Sequence, residues 1–149
     1  MQLNTAAALM AYIFQMEGGA ADFYAHWADR LPAAAERLHA LARENRKFEQ
    51  RIRQAYYNAA SDALETNFSF TGLTAELQLP QMDDETQPEA VLKAALRMED
   101  EIQAFYERAA AGSEALMPDV RRAIRRVAQA RAPRKQTLLA ALETLASSP

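Results

Sequence analysis

The chain contains no cysteine. That single absence removes disulfide scaffolds, iron–sulfur sites, zinc knuckles and cysteine nucleophiles together. Glycine and proline are scarce, at four and six of 149 residues. An excess of one charge is also missing. The net charge of −3 is too mild to draw the whole molecule toward nucleic acid or acidic lipid. Nor is there a long apolar run. Residues 1–5 carry no Lys or Arg, and the Ala-Leu-Met stretch that follows is soon interrupted by Gln15 and Glu17. Neither a signal peptide nor a membrane span is expected, and a cytoplasmic location is.

What is present points to helix. Half of the residues are apolar, enough for one continuous core in a single domain over 1–149. Ala, Leu, Glu, Arg and Gln, the residues that lose least on entering a helix, are abundant. Apolar periodicity predicts four long helices. The first spans about 5–30, with Leu9, Ile13, Glu17, Ala20, Tyr24 and Leu31 on one stripe. Pro32 suits a first helical turn and opens the second, whose stripe is Leu38, Leu41, Ala42, Asn45, Phe48, Glu49, Ile52 and Tyr56. An irregular polar stretch follows over roughly 67–87. Thr86 and Glu89 have capping-box spacing, which starts a third helix carrying Leu92, Leu96, Glu99, Ile102 and Tyr106. Gly112 is its expected C-terminal stop. Pro118 opens the fourth, with Val120, Ile124, Val127, Arg131, Leu138, Leu142 and Leu145. Pro133 lies inside that helix, where it removes a backbone hydrogen bond and costs about 3 kcal/mol unless the helix kinks. A kink or break is therefore expected at 130–133. Short first and third loops make each pair an antiparallel hairpin, and the long middle connection makes a crossover.

The halves repeat one another. Glu17 is followed at six and seven residues by Phe23-Tyr24, and Glu99 likewise by Phe105-Tyr106, 82 positions on. Leu41-Ala42 and Val127-Ala128 correspond in the second and fourth helices. This pattern resembles the rubrerythrin-like branch of the ferritin-like superfamily, where Glu, then Phe-Tyr, then Leu-Ala-x-x-Glu-x-x-His occurs twice. The resemblance covers nearly everything outside the crossover. It implies an all-α, ferritin-like four-helix bundle of two antiparallel hairpins. It also implies a carboxylate-rich di-iron site, with one Glu from the first helix of each hairpin and Glu-x-x-His from the second. The i, i+3 spacing puts both ligands of such a pair on one helical face.

Glu17 and Glu99 occupy the first-helix ligand positions. The other ligand positions hold Asn45 and Phe48 in the second helix, or Glu44 and Lys47 if the register shifts by one, and Arg131 and Arg134 in the fourth. Glu44 falls about 100° off the apolar stripe, which favours the first register. Neither supplies a His. A buried carboxylate needs a partner, and guanidinium grips carboxylate in a two-pronged fork. The expectation is that Arg131 and Arg134, with Asn45 and Glu49, replace the metal around the remnant ligands Glu17 and Glu99. No cofactor is expected on that reading. The leading role is then a non-catalytic interaction or assembly module, most simply a homodimer or a complex with an unidentified protein partner. Phe14, Trp27 and Phe70 are taken as exposed interface residues.

Two alternatives stand beside it. Glu17, Glu44, Glu49 and Glu99 form a carboxylate-only set for an iron or manganese oxidoreductase, or for an iron-handling protein. Alternatively, the fourth helix binds nucleic acid. From Asp119 to Lys135 it carries seven basic residues against one acid, but no aromatic is interleaved among them. Pairing of those arginines with Glu99, Asp100, Glu101 and Glu107 within the bundle or across a dimer is the preferred account of the pattern. His26 and His39 read as surface residues at a hairpin end, although Glu36-x-x-His39 has ligand spacing.

Overall fold

A computed structural model describes residues 2–3, 5–62 (side chains to 58), 73–74, 77–112 and 118–147. It is an all-α bundle. The helices are α1 (Ala6–Ala28), α2 (Ala35–Asp62), α3 (Pro88–Gly112), α4 (Pro118–Arg131) and α5 (Arg134–Ser147). The Thr5 hydroxyl caps α1 by accepting the Ala8 N–H at 3.0 Å. Pro32 does not begin α2 directly. It opens the one-turn 3₁₀ helix Pro32–Ala34 that leads into it. Nor is Thr86 the cap of α3: its hydroxyl donates to Asp83 at 3.2 Å, and the helix begins at Pro88.

Apolar stripes decide what packs on what. α1 lies along α2, α3 packs against α4 and α5, and α2 meets α4. The core runs the length of the bundle through Leu9, Ile13, Phe48, Ile52, Leu92, Ile102, Phe105, Ile124, Val127 and Leu138, all at most 1% exposed. Each such side chain contributes about 1.5–3 kcal/mol when fully buried. Tyr12 and Phe105 join α1 to α3 with ring centroids 4.8 Å apart. The connection toward α3 is held on α1. Leu3 N–H donates to the Leu73 carbonyl at 3.0 Å, and Asp84 accepts from Arg30 at 3.2 Å and is bound to His26 at 2.9 Å. At Gly19 a Cβ would collide with the Leu79 side chain, so the glycine lets this segment lie flush on the helix.

The expected fourth helix is two helices. α4 ends at Arg131, and Ala132 and Pro133 form a turn before α5. Ala132 N–H reaches the Gln129 carbonyl at 3.3 Å, a tightened last turn, and the Pro133 carbonyl accepts from Gln136 and Thr137 as α5 begins. Proline, which has no N–H, occupies the place where the ladder is interrupted. No helix among the described residues is long and apolar enough to cross a membrane.

The interface residues expected from sequence need correction. Trp27 is 3% exposed and belongs to the core, its ring edge-on to His26 at 5.2 Å. Phe14 is half-buried, with the Arg53 guanidinium 4.0 Å from its ring centroid. Phe70 lies outside the described residues. The large apolar side chains exposed among the described residues are Tyr57 and Leu139.

Candidate functional site: a buried carboxylate–guanidinium cluster

Five helices converge on one polar cluster inside the core. Glu17 comes from α1, Asn45 from α2, Glu99 from α3, and Arg131 and Arg134 from either side of the α4–α5 break. All five are at most 3% exposed. Burying two carboxylates and two guanidiniums is costly unless charge and hydrogen bonds are both matched. Here they are matched nearly atom by atom.

Arg131 sits between the two acids. One terminal nitrogen donates to Glu17 Oε1 at 2.5 Å, and the other to both Glu99 oxygens at 3.1 Å. Glu17 also accepts the Tyr106 hydroxyl at 2.9 Å and the Asn45 amide at 2.8 Å. Arg134 donates from Nε to Glu99 Oε1 at 2.7 Å. Its other nitrogens donate to Asn45 Oδ1 at 2.8 Å, the Leu41 carbonyl at 3.3 Å, and Glu44 at 2.7 Å. Every carboxylate oxygen of Glu17 and Glu99 is therefore engaged by a donor. The Phe48 ring lies 5.4 Å and 5.5 Å from the two guanidinium carbons, and Tyr106 and Tyr24 flank Arg131 and Arg134 at 5.7 Å and 5.4 Å.

Arg131 and Arg134 are three residues apart, a spacing that shares one helical face, and both reach Glu99 across the break between α4 and α5. Burial works against the Arg134 charge, but Glu99, with hydrogen bonds to Glu99 and Glu44, outweighs it and holds the group above the ordinary arginine range. The two tyrosines shift in one direction. Burial, and then the nearby carboxylate, Glu99 for Tyr24 and Glu17 for Tyr106, push both phenols above their usual value.

The internal repeat is not symmetric in its contacts. Tyr106 donates to Glu17, whereas the hydroxyl of Tyr24, its counterpart, is buried without a hydrogen bond. Arg131 Nε is the other unbonded polar atom of the cluster.

Glu49 does not join. Its carboxylate pairs with Arg53, one turn on along α2, at 3.0 Å. Asn45 and Phe48 are the buried pair of α2, while Glu44 reaches Arg134 from the half-exposed rim and Lys47 is exposed. Neither that role of Glu44 nor the part of the Leu41 carbonyl follows from sequence reasoning. The off-stripe position of Glu44 points away from the cluster, and the length of the arginine side chain overcomes it. His26 and His39 are surface residues paired with Asp84 at 2.9 Å and Asp29 at 3.8 Å.

The donor set does not suit a transition metal. Among the described residues no group of three or more His, Asp or Glu is placed to hold a metal ion. A dication between Glu17 and Glu99 would have to displace Arg131 and then sit beside Arg134, against like charge. Compared with protein-family models, with curated proteins and with solved structures, the chain matches none.

Proposed function

We propose that this chain is a ferritin-like bundle of the rubrerythrin-like type in which an internal ion cluster has taken the place of the di-metal centre. It then serves as a non-catalytic interaction or assembly module, cytoplasmic and self-associating as a homodimer. The observation that carries the reading is Arg131, buried at the centre and bonded to the two carboxylates that the repeat places at ligand positions. A repeat of Glu…Phe-Tyr at both inward positions supports the ancestry, and the pairing of α1 with α2 and of α3 with α4 and α5 accords with two hairpins. The cluster supplies the neutralisation that metal would otherwise give, so the bundle is stable without it.

Thermal unfolding tests this. A ligand that binds the folded state raises its stability in proportion to the logarithm of concentration over dissociation constant. Added Fe²⁺, Mn²⁺ or chelator is expected to leave the unfolding temperature unchanged. A rise of several degrees with Fe²⁺ or Mn²⁺, lost in Glu17→Ala and Glu99→Ala, would instead establish the carboxylate-metal oxidoreductase or iron-handling alternative. Light scattering of the same samples reads the dimer directly, and a monomer at all concentrations would remove that part of the proposal.

A further inference from the structure

The basic residues of the fourth helical segment divide into two sets. Arg131 and Arg134 go to Glu99, and Lys135 pairs with Asp100 at 2.6 Å. At the other end, Arg122 pairs only with Asp119 in its own first turn, and Arg126 has no ion pair or hydrogen bond among the described residues. The acids of α3 thus neutralise one end of the segment and leave the other open.

The open end faces α2. Arg51, Gln54, Ala55 and Asn58 of α2 and Asp119, Arg122, Ala123 and Arg126 of α4 line a groove of about 470 Å³. Arg51 also borders an adjoining hollow of about 380 Å³ lined by Arg43, Glu44, Lys47 and Ala130. The two hollows share Arg51 and are taken together as one basic trough between α2 and α4. Arg43, Lys47 and Arg51 recur every fourth residue, about 6 Å apart along the helix, and none has an ion pair or hydrogen bond among the described residues. Both carboxylates of the trough are committed, Glu44 to buried Arg134 and Asp119 to Arg122.

We propose that this trough binds the phosphate chain of an oligophosphate, inorganic or borne by a nucleotide. Guanidinium matches phosphate oxygens in a two-pronged fork, and the volume is that of a small-molecule site. An oligophosphate packs three or more negative charges into that volume, whereas a stretch of acidic peptide of equal size carries one or two. Duplex nucleic acid is too wide to enter. A single strand lacks a stacking surface there, since the one aromatic lining it, Phe48, is 1% exposed. Glu44 and Phe48 border both sites, but the basic residues Arg43, Lys47, Arg51, Arg122 and Arg126 make none of the contacts of the buried cluster, so the two proposals fail independently.

Calorimetric titration of the full chain at low salt tests the inference, with tripolyphosphate, ATP, AMP, orthophosphate and a DNA duplex as probes. Tripolyphosphate is expected to bind at about one equivalent, with AMP and orthophosphate weaker by about tenfold or more, the difference that one or two charge-assisted contacts make. Arg51→Gln and Arg126→Gln are each expected to weaken it by about tenfold, and Arg97→Gln on α3, an equal change of charge, to leave it unaltered. ATP equal to tripolyphosphate identifies a nucleotide as the source, and ATP much weaker identifies inorganic chains. Unchanged helicity and unfolding temperature in the variants would exclude loss of fold. Absence of tripolyphosphate binding, equal loss in Arg97→Gln, or tighter binding of the duplex would overturn the proposal.

Discussion

Arg131 is the residue on which the interior depends. Its two terminal nitrogens hold carboxylates that lie 82 positions apart in the repeat. Removing one partner of a buried ion pair leaves an uncompensated charge and typically costs about 3–5 kcal/mol. Arg131→Met is expected to lose that much in urea unfolding, and adding Glu17→Gln should recover part of it, because the stranded charge is then gone. A loss below about 1 kcal/mol would mean that water reaches the cluster and screens it. The tyrosines give a pH test. An unfolded phenol titrates near 10. Tyr24 and Tyr106 titrate higher in the fold because burial opposes the charged form. Above about pH 10 the unfolded chain gives up protons that the folded chain keeps, so stability is full below that pH and falls as pH rises past it. The decline should shrink in Tyr24→Phe. An identical alkaline decline in that variant would contradict the assignment. At this scale the inward position of Glu17 and Glu99 is legible from the apolar stripe alone. The reach of Glu44 is not, because periodicity fixes where a Cβ points and not how far a facing arginine extends. The burial of Trp27 is legible as well: it lies seven residues after Ala20 and three after Tyr24, at the helical angle of Leu9, so it belongs to the α1 stripe and not to an exposed interface.

Among the elements, the break between α4 and α5 links sequence to site. Proline in the helix interior foretells it, because no intrahelical hydrogen bond can end there. What the sequence does not reveal is where the break falls relative to the cluster: Arg131 closes one helix and Arg134 opens the next, and both reach Glu99. If Glu99 and the arginines hold the break in place, Pro133→Ala should not straighten the helix. It should lower stability by about 0.4–1 kcal/mol through the freer unfolded chain. A gain in stability, together with hydrogen-exchange protection of the backbone amide that the substitution introduces, would show instead that proline alone imposes the interruption. The start of α3 lies one residue beyond its expected place for a local reason: Thr86 has the right spacing for a capping box, but Asp83 takes its hydroxyl.

The molecule as a whole follows from three features of the sequence: helix-forming composition, stripes of regular period, and short first and last connections. Those are local or nearest-neighbour properties, which is why the all-α bundle is legible without a structure. The α2–α4 trough is legible only by half. The arginines of α4 stand out as a run, but Arg43, Lys47 and Arg51 look like an ordinary solvated face of α2 until the two helices are set side by side. The same packing separates the charges of the bundle into a neutralised interior and an open basic channel. On this account the interior cluster substitutes for metal, and the direct check is metal content by mass spectrometry on untagged protein from cells supplied with iron, manganese and zinc. The account predicts far less than one equivalent of each. One to two equivalents of iron or manganese per chain, lost in Glu17→Ala or Glu99→Ala, would contradict it.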